Sequence, residues 1–193
     1  NPSFEGLNVD TNKINRFVGT NQDVNSWIQY KDIIEDSLNL QRFNFDDDIT
    51  VIHVRRTDWT TSGTYFIDLC ETDYYKNAIN QAGNSKILFV SDDINWTREW
   101  FESFKHDTIC SSVTYYDGSP IEAFNIMLNA KSLIISPSTY ARWAAYLNKN
   151  EVYFPELFYR EKGHLSLEAN TDSTRYFIKS KRWHKVSFLQ RPV

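Results

Sequence analysis

The segment ITVIHV, Ile49–Val54, decides how the rest of the chain can be organised. It is short, nearly all apolar and rich in β-branched residues, as expected of a strand that is covered on both faces of a sheet. Two adjacent arginines, Arg55 and Arg56, follow it directly, and Asp58 comes two residues later. Surface exposure is the usual fate of arginine, so this concentration of charge at the end of a buried strand needs a physical explanation.

Four further segments have the composition of short buried strands. They are KILFVS (residues 86–91), SVTYY (112–116), SLIIS (132–136) and EVYF (151–154). Between them, apolar residues recur at spacings of three and four, which is the period of a helix that buries one face. Strands that alternate with helices in this way form right-handed βαβ units. The sequence therefore predicts an α/β domain, a Rossmann-like parallel sheet with helices on both faces.

This domain is predicted to span residues 46–156. Residues 1–45 are interpreted as an N-terminal segment and a helix, which the spacing of apolar residues places between residues 22 and 40. Residues 157–193 are interpreted as a C-terminal tail that packs back on the domain, with Trp183 as its anchor. No helix or strand is predicted within this tail.

Capping residues predict where the helices begin and end. Ser119 and Glu122 have the spacing of a capping box, with a proline at the first helical position between them. Thr72 is predicted to cap a helix that ends at Gly83, because a residue without a Cβ suits a helix terminus. These signals place two of the helices that connect the strands.

Composition and charge exclude several classes of protein. The chain has 193 residues, 41% of them hydrophobic and 16% aromatic, which is enough for a folded globular domain. The 21 basic and 25 acidic residues give a net charge of −4 without long runs of one sign, so no nucleic-acid partner is expected. No apolar run approaches the roughly 20 residues that span a bilayer. The prediction is a cytoplasmic chain, with peripheral attachment to a membrane left open.

Cysteine usage and the first residues add two expectations. Cys70 and Cys110 are far apart and belong to no CxxC pair or Cys/His cluster, so neither a zinc site nor a disulfide framework is predicted. The chain begins with Asn1 rather than Met, and its first residues have neither the basic nor the apolar region of a signal peptide. We therefore expect a piece of a longer protein.

Polar residues after three of the strands indicate a shared anion site. In an open parallel sheet, the loops at the carboxyl ends of the strands line the ligand crevice. Those loops carry Arg55 and Arg56 after the first strand, Asp92 and Asp93 after the second, and Ser136, Ser138 and Thr139 after the fourth, where a helix begins. Arginine side chains and the free N–H groups of a helix start both favour phosphate oxygens. The pattern predicts a diphosphate site that has no glycine-rich loop.

Structural roles are open for several of these residues. One arginine can instead pair with Asp58 or Asp92 inside the fold. Asp92 or Asp93 can cap the helix that follows them. His53 can be a core histidine with satisfied hydrogen bonds.

Three motifs carry a resemblance to a known family. HVRRTD (residues 53–58) resembles the HxRRxD motif of α-1,2- and α-1,6-fucosyltransferases. FVSDDINW (89–96) is similar to an FSDD-and-Trp segment of the α-1,2-fucosyltransferases of glycosyltransferase family 11. IMLNAKSLIISPSTYARWAAYLN (126–148) is similar to the segment of that family written lMs-C-hnIisNSSFSWWaAyLn. Three motifs in the right order, over residues 51–148, make the resemblance specific.

The resemblance implies a two-domain transferase of the GT-B architecture, whose C-terminal Rossmann-like half binds GDP-fucose. It implies an inverting transfer of L-fucose from GDP-β-L-fucose to a glycan hydroxyl, without a metal or other cofactor, in membrane-associated glycan synthesis. Carried over by position, donor binding is assigned to His53, Arg55, Arg56, Asp92, Asp93, Ser136, Ser138 and Thr139. Catalytic roles are assigned to Arg56, which neutralises the departing GDP, and to Asp58 and Glu122, which are weak candidates for the base.

The chain departs from the family pattern in informative places. The family commonly has an aspartate, associated with guanine recognition, where this chain has Ala123 with Glu122 beside it. The family's NSSFSWW has become SPSTYARW. The N-terminal half of the family, including its glycine-rich GGLGNQ start, is absent, so residues 1–45 are expected to link to a missing N-terminal half. We therefore expect the donor-binding half of an α-1,2-fucosyltransferase-like enzyme, and a non-catalytic nucleotide-sugar-binding module is the alternative. The acceptor, the linkage and the oligomeric state are left open.

Overall fold

A parallel β-sheet forms the centre of the chain. The computed structural model describes residues 28–37, 40, 42, 49–58, 67–157, 178 and 180–189. Within them the strands are β1 (Ile49–Val54), β2 (Lys86–Ser91), β3 (Ser112–Tyr116), β4 (Ser132–Ile134), β5 (Glu151–Pro155) and β6 (Trp183–Val186). Their order is β3-β2-β1-β4-β5-β6, and every neighbouring pair is parallel. The predicted Rossmann-like α/β fold is confirmed.

Helices connect the strands and cover the sheet. They are α1 (Lys31–Ser37), α2 (Tyr74–Ala82), α3 (Ile94–Glu102), α4 (Pro120–Asn129) and α5 (Thr139–Leu147). Short 3-10 turns are formed by Ile28–Tyr30, Leu69–Glu71 and Lys105–Asp107. Helices α4 and α5 pack on one face of the sheet, and α2 and α3 pack on the other. This arrangement explains why the strands read as continuous apolar runs.

The pleat of β1 divides the core into two layers. Val51 is fully buried against the residues of α4 and α5, including Met127. Ile52 and Val54 are fully buried against the opposite layer, which includes Ile79 of α2. Successive side chains of a strand point to opposite faces, so one short strand contributes to both cores.

Helix starts in the structure follow two of the predicted signals. The Ser119 hydroxyl accepts a hydrogen bond from the Glu122 N–H at 3.3 Å, and the Glu122 carboxylate accepts one from the Ser119 N–H at 3.3 Å. The predicted capping box of α4 is therefore confirmed. At α3, the Asp93 carboxylate accepts a hydrogen bond from the Trp96 N–H at 3.1 Å. Asp93 thus has the capping role that the sequence had left open.

Helix α2 starts slightly later than expected and ends as predicted. Asp73 is its N-cap residue, but the Asp73 side chain makes no capping bond. The Thr72 hydroxyl accepts from the Tyr74 N–H at 3.2 Å, so Thr72 caps from one residue before the N-cap position. Gly83 follows the last turn with φ of 77°, in the left-handed region. A residue without a Cβ adopts this conformation at little cost.

Arg42, which precedes β1, contacts the two helices that cover one face of the sheet. Its guanidinium donates to the Leu147 carbonyl at 2.9 Å and to the Leu128 carbonyl at 3.4 Å. These carbonyls lie at the ends of α5 and α4, where a cation is electrostatically favourable. The preceding helix, α1, has seven residues and is shorter than the helix predicted between residues 22 and 40. The rest of that predicted helix, apart from the 3-10 turn, lies mostly outside the described residues.

The C-terminal tail contributes a strand that the sequence did not predict. Trp183–Val186 pairs with β5 in parallel and forms the edge of the sheet. Trp183 is buried and stacks on Tyr146, with ring centroids 5.7 Å apart. The strand β6 has only four residues, WHKV, which are too few to show the alternation of apolar and polar residues that predicts a strand. Trp183 does contact the core, as expected of an anchor.

The strand order places a crevice between β1 and β4. Chain connections run in opposite directions on either side of this pair, which makes it the topological switch point of the sheet. In folds of this kind, ligands bind outside the carboxyl ends of the strands at the switch point. Within the described residues, no helix is long and apolar enough to cross a membrane.

The left-handed conformation at Gly83 gives a clean test of the α2 terminus. A Cβ added there would meet no atom within 4 Å, so the cost of a side chain is confined to the backbone. We expect Gly83→Ala to lower the free energy of unfolding by about 1 kcal/mol, measured by urea denaturation. Gly83→Asn should lose less, because asparagine tolerates this region. Equal losses in the two variants would contradict the backbone explanation.

Candidate functional site

Asp92 joins the carboxyl end of β2 to the loop that follows β1. Its carboxylate accepts hydrogen bonds from the Arg56 N–H at 2.8 Å, the Thr57 N–H at 3.1 Å and the Thr57 hydroxyl at 2.5 Å. The Arg55 guanidinium adds an ion pair at 3.2 Å. Burial alone would raise the pKa of Asp92, but the hydrogen bonds from Thr57 and Arg56 hold it below its usual value. Asp92 is thus ionised at neutral pH and holds the loop after β1 through these hydrogen bonds.

Asp93 holds the next turn rather than the loop after β1. Besides capping α3, its own N–H donates to the Ser91 hydroxyl at 3.1 Å. Both acidic residues after β2 are therefore occupied by contacts within the fold.

Arg56 is held between a carboxylate and an indole. Its guanidinium donates to Asp68 at 2.6 Å and lies 3.9 Å from the centre of the Trp96 ring. Trp96 in turn stacks on Trp100, with centroids 5.6 Å apart. The Asp68 carboxylate also accepts from the Cys70 N–H at 3.0 Å and so caps the following 3-10 turn. The carboxylate of Asp68 and the ring of Trp96 on α3 therefore both stabilise the position of the Arg56 guanidinium.

Asp68 was not predicted from the sequence. It stands 12 residues after Arg56, and it belongs to none of the patterns that mark the strand ends. The available signal was local: an aspartate two residues before Cys70, at the start of a short turn. That signal predicts a cap, but it does not predict a partner for an arginine.

Arg55 makes two ion pairs near the surface. Its Nε donates to Asp58 at 2.9 Å, and its Nη1 lies 3.2 Å from Asp92. The hydrogen bond to Asp58 raises the pKa of Arg55 further above its ordinary value. The side chain of Asp58 is 66% exposed, whereas that of Asp92 is 19% exposed. The sequence left open whether one arginine pairs with Asp58 or with Asp92. In the structure Arg55 pairs with both carboxylates.

His53 and Ser136 connect β1 to the segment after β4. The His53 Nδ1 and the Ser136 Oγ are 2.7 Å apart, and the two residues are 4% and 1% exposed. The Tyr140 ring lies 5.7 Å from the imidazole, and the Tyr75 hydroxyl donates to the His53 carbonyl at 3.2 Å. Burial lowers the pKa of His53 to about 4. The ring is therefore neutral at physiological pH, as the core-histidine alternative requires.

The start of α5 faces the same edge of the sheet. Ser138 is the N-cap residue, with extended backbone at φ −88° and ψ 135°, and it is largely buried. Its hydroxyl makes no capping hydrogen bond to the helix. Thr139 begins the helix proper, and Ser136 lies two residues before the cap. The region therefore combines three hydroxyl side chains with the positive end of a nine-residue helix.

Glu122 is surrounded by local donors. In addition to the capping box, it accepts from the Tyr116 hydroxyl at 2.7 Å and the Ser119 hydroxyl at 2.9 Å. The hydrogen bond from Tyr116 holds the pKa of Glu122 below its usual value. A carboxylate committed to three donors at a helix start is poorly placed to take a proton from a substrate.

The structure therefore brings the predicted residues together in two groups. One group joins Arg55, Arg56, Asp58 and Asp92 around the loop after β1, and the other joins His53 to Ser136 near the start of α5. Among the described residues, no group of three or more His, Cys, Asp or Glu side chains could hold a metal ion.

Comparison with known families assigns the chain. The model of glycosyl transferase family 11 matches residues 12–157, which cover β1 to β5 and every polar group described above. The chain belongs to glycosyl transferase family 11.

Two curated relatives from Escherichia coli are similar to it. The O-antigen biosynthesis glycosyltransferase WbnK is 32% identical over 108 residues, covering 53% of this chain and 35% of the relative. An alpha-1,2-colitosyltransferase is 26% identical over 155 residues, covering 70% of this chain and 52% of the relative. The match thus extends over at most about half the length of these relatives.

The buried imidazole of His53 makes stability depend on pH. An unfolded histidine takes up a proton near pH 6.5, whereas folded His53 does so only near pH 4. Because the folded pKa is lower, the stabilising contribution is complete above about pH 6.5 and is lost as the pH falls toward 4. We expect the free energy of unfolding to decrease by at most about 3 kcal/mol across this range, as follows from linkage.

Urea denaturation across this pH range measures the effect. His53→Gln should flatten the dependence, because the titrating group is gone. His106→Gln is the matched control, since the His106 side chain is 76% exposed, and it should keep the slope. A full slope in His53→Gln would assign the dependence to other groups.

Proposed function

We propose that the chain is the nucleotide-sugar-binding part of an inverting, α-1,2-fucosyltransferase-like enzyme. The reaction is the transfer of L-fucose from GDP-β-L-fucose to a hydroxyl of a glycan acceptor. Family membership supports glycosyl transfer, and the names of the relatives support an α-1,2 linkage and a role in O-antigen synthesis. The observation that carries the proposal is the position of Arg55, at the end of β1 and at the switch point of the sheet.

Arg55 is the better choice of the two arginines for the donor diphosphate. Arg56 is held by Asp68 and lies over Trp96, so binding a ligand would cost it supported contacts. Arg55 has an exposed partner in Asp58, and an exposed ion pair is worth little. A diphosphate can therefore replace Asp58 on Arg55 at low cost. In this proposal Arg56 holds the loop after β1 in place. The earlier assignment of Arg56 to charge neutralisation of GDP stays a prediction, and the variants described below test it.

The charge that develops on the departing GDP is offset by fixed groups in this proposal. Arg55 supplies a permanent cation. The start of α5 supplies N–H groups with the positive end of the helix dipole, and Ser138 and Thr139 supply hydroxyls. Preorganised donors of this kind often make the largest contribution to catalysis. They perform the role that a divalent cation has in other transferases, so we propose that no metal is required.

Asp58 is the better placed of the two carboxylates proposed as the base. When Arg55 turns to the diphosphate, Asp58 is left as an exposed carboxylate beside it. Glu122 is less suitable, because Tyr116 and Ser119 both donate to it. A general base must lie within hydrogen-bond reach of the acceptor hydroxyl, and the loop after β1 offers such a position.

Two alternatives follow from specific observations. One relative is named for colitosyl transfer, so the transferred sugar is either fucosyl or colitosyl. The second candidate function is a module that binds the nucleotide sugar without transferring it, since the polar groups described above all belong to the proposed donor site.

Substitution of the two arginines separates their roles. Arg55→Ala should weaken GDP binding about tenfold to a hundredfold, on the scale of one charge-assisted contact. Arg56→Ala should mainly lower the melting temperature, since it removes the ion-pair partner of Asp68. Arg98→Ala is the control. Arg98 lies on α3, over the ring of Tyr115 of β3, and belongs to neither of the two groups of predicted site residues.

Isothermal titration calorimetry with GDP measures these affinities at a temperature where every variant is folded. A larger loss of affinity in Arg56→Ala than in Arg55→Ala would return the diphosphate to Arg56. Wild-type affinity in both variants would remove the pair from the binding site.

A nucleotide panel tests the donor class. Thermal-shift measurements with GDP, UDP and ADP, each with and without Mg²⁺, should show the largest stabilisation by GDP, since ligand binding to the folded state raises the melting temperature. Mg²⁺ should add nothing to the shift by GDP. Equal shifts for the three nucleotides would contradict recognition of guanine, and a shift by GDP that needs Mg²⁺ would contradict metal independence.

A further inference from the structure

The contact between His53 and Ser136 is a buried polar link at the switch point. His53 lies near the end of β1, and Ser136 lies two residues after β4, the strand that pairs with β1. Both are at least nine-tenths buried, and 2.7 Å separates their polar atoms. Buried polar groups are costly unless they are hydrogen-bonded. The positions of the protons in this pair therefore follow from what each atom has available.

The hydroxyl proton of Ser136 can be satisfied in one way. Within the described residues, the Ser136 Oγ has one hydrogen-bond partner, the Nδ1 of His53. If Nδ1 carried the proton, the hydroxyl would accept it and its own proton would be left buried without an acceptor. If the hydroxyl donates, only an oxygen lone pair is left over, and an unmade bond costs more for a buried donor. Ser136 therefore donates, and the imidazole carries its proton on Nε2.

The Nε2 atom of His53 lies on the edge of the ring that is turned away from Ser136. It has no hydrogen-bond partner within the described part of the chain. A ligand can reach the ring only through the 4% of His53 that is exposed.

We infer that Ser136 is a positioning residue that fixes His53 as a neutral imidazole, with its Nε2–H presented to an oxygen of the donor diphosphate. The inference rests on the proposed function, because it takes the ligand from it. It changes the role of Ser136 from a donor ligand to a residue that acts through His53. The donor contacts at the start of α5 then fall to Ser138 and Thr139.

The charges around the ring agree with a neutral donor. Burial lowers the pKa of His53 to about 4, the nearby Asp92 opposes this, and Arg55 adds to it. His53 also contacts groups that carry no charge at neutral pH, namely the Ser136 hydroxyl, the Tyr140 ring and the Tyr75 hydroxyl. A neutral N–H donates to phosphate with a strength that does not vary between about pH 6 and 8.

Nitrogen-15 NMR of this chain reads the tautomer directly. The wild-type spectrum should show His53 with a protonated Nε2 and an unprotonated Nδ1, and its Nε2 resonance should move when GDP is added. His53 is assigned by its loss in His53→Gln. If that variant fails to fold, variants of the other histidines (His106, His164 and His184) assign it by elimination. A protonated Nδ1 overturns the inference, and so does an unmoved Nε2 resonance at saturating GDP.

Matched substitutions test the role by calorimetry with GDP. His53→Gln keeps an N–H near the position of Nε2 and should bind within about threefold of the wild type, whereas His53→Asn should lose about tenfold, on the scale of one hydrogen bond to a charged group. Ser136→Ala should lose about three- to tenfold, and Ser136→Thr should restore the affinity. Wild-type affinity in His53→Asn or Ser136→Ala overturns the inference. A wild-type chain that binds no GDP overturns the proposed function and the inference together, whereas binding without a response at Nε2 overturns the inference alone.

Discussion

The carboxylate of Asp92 is the contact on which the ligand edge depends. It gathers two backbone N–H groups, a hydroxyl and a guanidinium from the loop after β1, and so fixes how that loop leaves the sheet. Those backbone groups would otherwise suit a phosphate. Because an internal anion already occupies them, an external anion has to be met by side chains and by the start of α5.

The two arginines that follow β1 differ in their partners. Arg56 reaches the α3 side, where Asp68 and Trp96 hold it in place. Arg55 stays with partners at the loop, one of which is exposed to solvent. Adjacent residues with the same charge are thus held to different degrees, because one carboxylate partner of Arg55 is exposed, whereas Arg56 is held by a less exposed carboxylate and an indole ring. One arginine maintains the shape of the loop, and the other is available for exchange.

Sequence patterns predicted the features that are local or periodic. The five strands of the family-matched region and the capping box at Ser119 depend on composition and spacing, which a single chain displays. The pairing of Arg56 with Asp68, and of His53 with Ser136, joins distant parts of the chain, so no spacing rule reveals it. β6 was missed because four residues, half of them polar, carry too little pattern. Sequence therefore located the edge of the site, while tertiary contacts decided the role of each residue.

The helices beside the crevice are joined at both of their ends. At the crevice, the Tyr140 hydroxyl of α5 donates to the Pro120 carbonyl at the start of α4. At the opposite end, the guanidinium of Arg42 bridges carbonyls of both helices. Helices α4 and α5 are therefore held to each other at both ends. Because Arg42 contacts both helices, a displacement of this one residue would be passed to α4 and α5 together.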